Sequence, residues 1–177
     1  MKPTSLRHYA VLSALLLAAA SAQAASTTAT ATATVLTPMT ITKNTDLSFG
    51  NIVGGNGTVT IDTSGARSLA GNTAPAVSGG TALSAAKFTV GGTASQGYAI
   101  TVTPPANLSS GGNNMAFTAF WEALDTATPT PVSSGTPATF TPAGATSYIL
   151  LGGTITVGAN QAAGTYTGTI TVNVDYN

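Results

Sequence analysis

Alternation with a period of two residues dominates this chain and restricts what it can fold into. From Thr28 to Thr42 the sequence reads Thr-Ala-Thr-Ala-Thr-Ala-Thr-Val-Leu-Thr-Pro-Met-Thr-Ile-Thr. Odd positions Ala29, Ala31, Ala33, Val35, Met39 and Ile41 are apolar, and the even ones are Thr except Leu36 and Pro38. Successive side chains of an extended strand point to opposite faces, so this pattern lays one apolar edge along a strand of roughly 50 Å. A disordered Ala/Thr linker is the plainer reading, but a linker gains nothing from Val35, Leu36, Met39 and Ile41. Buried, those four contribute on the order of 6–12 kcal/mol before ordering costs. The C-terminus, Gly164 to Asn177, alternates in the same way. Tyr166, Ile170, Val172, Val174 and Tyr176 share one face, with Gly168 as its gap, while Thr165, Thr167, Thr169, Thr171, Asn173 and Asp175 share the other. Locally that is an ordinary last strand; two ends of this quality suggest that each pairs with something.

Between the ends, β-branched Thr, Val and Ile dominate, punctuated by Gly, Asn, Pro and Ser, which reads as an all-β sandwich or barrel. Strands are expected at Leu47–Ile52, Thr58–Asp62, Lys87–Val90, Tyr98–Thr103, Ala116–Ala123, Ser147–Val157 and Thr165–Tyr176. Gly54-Gly55-Asn56-Gly57, Gly79-Gly80, Gly91-Gly92 and Gly111-Gly112-Asn113-Asn114 are expected to supply turns with positive φ. Thr126–Ala143, carrying four prolines, reads as a surface loop or irregular edge. One domain is the economical reading.

Composition narrows the chemistry. Only 6% of the 177 residues are charged while 43% are hydrophobic, there is no Cys, and the one His is His8. Met1 to Ala24 has the form of an export signal. Lys2 and Arg7 precede an apolar run from Ala10 to Ala20, then Ser21-Ala22-Gln23-Ala24 offers small residues to a signal peptidase. The apolar run is about a dozen residues, short of the roughly 20 that span a bilayer, so no membrane span is expected after cleavage. The remaining chain has no histidine and three basic residues, Lys43, Arg67 and Lys87. It therefore offers no His-based triad, no thiol chemistry, no ordinary zinc site, and too few cations for a nucleic-acid backbone. We expect no enzyme and no cofactor. Glu122 and Asp125, the one close acidic pair, read as solvated surface charges rather than glycosidase carboxylates. Phe117, Phe120 and Trp121 read as packing aromatics rather than a sugar platform, and Asp62-Thr63-Ser64-Gly65 as a turn rather than a calcium loop. An internal Lys–Asn crosslink would have only Glu122 as its assisting Glu.

The two end segments resemble those of chaperone–usher pilus subunits. In that family a Gly fourteen residues from the end, alternating apolar residues and a penultimate Tyr form the C-terminal motif. Gly164, Tyr166, Ile170, Val172, Val174 and Tyr176 match it. Val35–Ile41, Asp46–Ile52, Gly152–Gln161 and Gly164–Tyr166 are similar to a family of exported domains of unassigned function, itself similar to archaic pilins with spore-coat-protein-U-like domains. The resemblance runs from about residue 28 to 177, without the disulfide common in pilins. It implies an incomplete immunoglobulin-like β-sandwich over residues 46–177, completed by an N-terminal extension, residues 25–45. Ala29, Ala31, Ala33, Val35, Met39 and Ile41 would be the donor strand, and Gly164, Tyr166, Ile170, Val172, Val174 and Tyr176 would line the acceptor groove or face a chaperone. It further implies neighbouring subunits, a periplasmic chaperone and an outer-membrane usher as partners. The location is then the periplasm in transit and a surface filament (fimbrium) at the end, with a role in adhesion or biofilm formation. A second class stays open: a self-contained secreted adhesin or carbohydrate-binding module, in which Thr28–Thr42 folds back to complete its own sandwich.

Overall fold

In the computed structural model, which describes residues 24–75 and 80–177, every regular element is a strand. The export signal expected over residues 1–24 thus lies almost wholly outside the described residues, as does Gly79. The strands are β1 (Thr40–Thr45), β2 (Ile52–Val53), β3 (Gly57–Ile61), β4 (Arg67–Gly71), β5 (Ala74–Pro75), β6 (Ala86–Gly91), β7 (Tyr98–Thr103), β8 (Asn107–Ser110), β9 (Asn113–Leu124), β10 (Thr139–Phe140), β11 (Thr146–Val157) and β12 (Thr171–Tyr176). They form an all-β sandwich of two antiparallel sheets. The larger sheet has seven strands and the smaller has the order β10-β7-β12; β2 and β5 pair separately.

β11 organises the larger sheet. Along one edge it pairs with β9 over Tyr148–Thr156; along the other it pairs first with β6, through Thr146–Leu151, and then with β3, through Gly153–Val157. β1 extends the sheet beyond β6, β4 beyond β3, and β8 beyond β9. Period-2 chemistry sets the faces. On β3, Val59 and Ile61 are buried, while the Thr60 hydroxyl meets that of Thr154 across the strand pair at 2.8 Å.

Two elements that lack β-branched residues are held by their turns. β8 returns into β9 through Gly111-Gly112, both at positive φ (53° and 86°), the backbone a two-residue type I′ hairpin demands. β3 returns into β4 through Asp62–Ala66, where Asp62 Oδ1 accepts from the Ser64 and Ala66 amides, both 2.9 Å, and from the Ser64 hydroxyl. That segment is a turn. Not all the glycine clusters bend the chain as expected: Gly54, Gly55, Gly57, Gly91 and Gly92 have no positive φ.

The Pro-rich stretch 126–143 is an irregular edge, with β10 outermost in the smaller sheet. Trp121 donates from its amide to Gly135 O (2.9 Å) and from its indole to Pro137 O (3.0 Å), the Ile100 amide donates to Ala138 O (2.7 Å), and β10 pairs with β7. The stretch therefore ties one sheet to the other. Phe117 and Phe120 are buried and Trp121 is half-buried.

Candidate assembly cleft

Apolar packing falls into two clusters at opposite ends of the sandwich. In one, Val90, Tyr98, Ile100 and Ile149 are buried beneath Met39, Phe140, Val172, Val174 and Tyr176. The Tyr98 hydroxyl meets Ser147 Oγ at 2.8 Å across the two sheets. Burial raises the Tyr98 hydroxyl above its ordinary value of 10.0, and the Ser147 hydrogen bond offsets part of that.

The other cluster lies beneath a cleft, with Tyr166 and Ile170 half-buried against it. Ala86, Met115, Phe117, Ile155 and Val157 are buried in the floor of a cleft of about 990 Å³. Residues 161–170 form one wall and Leu47–Ile52 form part of the other.

The sequence explains why these walls are not paired strands. The ladder between β12 and β7 ends at Thr171 opposite Thr103, and β7 is followed by Pro104-Pro105, which has no backbone N–H to continue it. The alternating pattern runs back to Thr165, but pairing in the small sheet begins only at Thr171. Upstream, Thr167 bridges Ser109 of β8 instead, by two backbone bonds of 2.9 and 3.0 Å. Tyr166 turns back on its own loop, donating to Ala162 O (2.8 Å) and accepting from Gln161 Nε2 (2.7 Å).

The opposite wall is equally irregular. Ser48 and Ser84 exchange backbone bonds (2.8 and 3.2 Å), and Arg67 Nη1 donates to Phe49 O and Asn51 O, both 3.1 Å. The Phe49 ring stands edge-on to Phe117, centroids 6.2 Å apart. Lys43 and Asp46, the charged residues lining the cleft, pair with each other at 2.7 Å.

The residues expected to form a single acceptor face are thus divided. Gly164, Tyr166 and Ile170 lie at the cleft. Val172, Val174 and Tyr176 are half-buried on β12 against the closed cluster, with Thr171, Asn173 and Asp175 exposed between them. Among the described residues β12 is an outer strand of its sheet and has one edge unpaired.

The expected donor strand is divided too. Residues 24–39 lie in no strand; Ala29, Ala31 and Ala33 are exposed, and Val35 is 93% exposed. Met39 packs on the closed cluster, and Ile41 sits in β1 opposite Val90. Residues 40–45, expected in the extension, are therefore part of the domain's own sheet.

Asp125 is exposed and accepts from the Ala143 amide at 2.8 Å. Glu122 departs from the expected solvated charge. It lies opposite buried Leu150, half-buried itself, and its Oε1 is shielded from solvent without a hydrogen-bond partner among the described residues. Among the described residues no group of three or more His, Cys, Asp or Glu is placed to hold a metal ion. No helix among them is long and apolar enough to cross a membrane.

The chain belongs to the family described as Domain of unknown function (DUF4402), which matches residues 39–176. The matched region begins at Met39, where the chain joins the sandwich, and leaves out the exposed Ala/Thr tract. Neither curated proteins nor solved structures give a match.

Proposed function

We propose that this protein is an exported structural subunit of a bacterial surface filament, polymerising by donor-strand exchange and serving adhesion or biofilm formation. The observation that carries this reading is a pair of unsatisfied features in one chain. One is a cleft of about 990 Å³ floored by apolar side chains; the other is an exposed tract of alternating Thr and apolar residues ending at Val35. Main-chain hydrogen bonds to an open edge give affinity, and alternate side chains fill pockets. Arm and acceptor are different segments of the chain, so a contact between copies is head-to-tail and propagates a fibre. On this reading a periplasmic chaperone occupies the cleft before assembly, and an outer-membrane usher hands subunits on.

Deleting residues 28–35 tests the proposal. The shortened subunit should fold and be recovered from the periplasm with its chaperone, yet form no filaments visible by electron microscopy. Filaments of normal length from the deletion strain would sink the reading.

One observation favours the second class. β1 pairs within its own domain, so part of the Thr28–Thr42 segment does fold back, as a self-contained adhesin or carbohydrate-binding module would have it. Under that reading the purified protein is a stable monomer, and the deletion leaves its binding intact.

A further inference from the structure

Thr37 is gripped from two sides. Its amide donates to Thr93 Oγ1 (2.8 Å), and its carbonyl accepts from the Tyr176 hydroxyl (2.7 Å). That hydroxyl in turn accepts from the Thr93 amide at 2.6 Å. Thr93 follows β6 of the larger sheet, and Tyr176 ends β12 of the smaller one. One phenol therefore ties the N-terminal chain to both sheets. Its seat requires Gly92, where a Cβ would come within 2.7 Å of the Tyr176 oxygen. Downstream of the grip, Met39 is packed and β1 is laddered to β6. Upstream of it, Val35 is exposed.

We propose that the Tyr176–Thr93 clamp on Thr37 divides the N-terminal extension into a retained part, Thr37–Thr45, and a transferable arm ending at Leu36. A second copy then receives only Ala29, Ala31, Ala33 and Val35. The inference rests on the donor-strand reading and specifies what is donated.

The strand pairing agrees with that division. Donating Met39 and Ile41 breaks the clamp and strips β1 from β6, whereas donating the arm breaks no strand pairing, because residues 24–39 lie in no strand.

The absence of Cys makes a lock on β1 straightforward. Thr42 and Thr89 are directly paired between β1 and β6, at a separation a disulfide spans. The full chain carrying Thr42→Cys and Thr89→Cys is purified, oxidised or reduced, and its oligomer ladder is compared with wild type. The clamp account expects the oxidised form to assemble as fully as the reduced one. Assembly of the reduced form alone overturns it, since β1 must then leave home, while leaving donor-strand exchange standing. Wild type that forms no oligomers defeats both. Separately, Tyr176→Phe keeps the ring and removes the hydroxyl that holds the Thr37 carbonyl and the Thr93 amide. Amide exchange at Thr37 should accelerate about tenfold; unchanged exchange there would overturn the clamp.

Discussion

The two ends of this sandwich are built from the same residue types and reach opposite outcomes. At the closed end, β12 pairs along β7 from Thr171 to Tyr176, and its inward residues Val172, Val174 and Tyr176 cover Tyr98, Ile100 and Ile149. At the open end, the same chain upstream, Gly164–Ile170, has the same alternation but no ladder in its own sheet. Pro104-Pro105 ends the partner strand, and the floor of Met115, Phe117 and Ile155 is left as a cleft. The difference teaches that alternation qualifies a segment for a strand, while a neighbour's backbone donors decide whether it becomes one.

The sharpest way to break this comparison is to charge the closed face. Val172→Asp buries an unpaired carboxylate at a cost of several kcal/mol and should abolish recovery of folded protein. Thr171→Asp, on the exposed face of β12, should stay within about 0.5 kcal/mol of wild type. Equal behaviour of the two in denaturant titration would contradict the assigned phase.

Truncation sharpens the contrast between the ends. Ile149→Ala empties a fully buried site and should cost roughly 2–5 kcal/mol. Ile170→Ala, at the rim of a site already open, should cost the isolated subunit about 1 kcal/mol or less. On the donor-strand proposal it should nevertheless weaken assembly, seen as shorter oligomers, because Ile170 would meet the incoming strand.

A smaller effect separates the ends by pH. Tyr98 belongs to the closed end, and its hydroxyl is held above the ordinary value by burial. The unfolded chain ionises first, so this group's contribution is complete below pH 10 and is lost as pH rises through the folded value. Thermal unfolding followed from pH 8 to 11 should show the loss, and Tyr98→Phe should flatten it. The same alkaline slope in the variant would assign it to another group.

The fold class was legible because alternation survives in the residues that build the centre of the sandwich. Thr58–Asp62, Lys87–Val90, Tyr98–Thr103, Ala116–Ala123 and Ser147–Val157 all fall on strands or within a residue of one. β4 and β8 were not legible. Arg67-Ser-Leu-Ala-Gly and Asn107-Leu-Ser-Ser have little intrinsic β preference, and tight turns place them against β3 and β9. Leu47–Ile52 reads as a strand but is held chiefly by Arg67 and Ser84, contacts distant in sequence that no local pattern encodes. The candidate site was half legible for the same reason. The alternating segments themselves mark its parts, but where each changes from paired to unpaired depends on Pro104-Pro105 at one end and on Tyr176 holding Thr37 at the other.

The central claim, that the open end is completed by the arm of another copy, is tested most directly by supplying the arm in trans. A synthetic peptide spanning residues 25–37 is titrated into the subunit lacking residues 28–35, and the Tm and binding stoichiometry are followed. The account predicts one peptide per subunit, a rise in Tm that grows with peptide concentration, and loss of both effects when the peptide carries Val35→Asp but not Thr34→Asp. A Tm that does not move, or that moves equally with all three peptides, would contradict it.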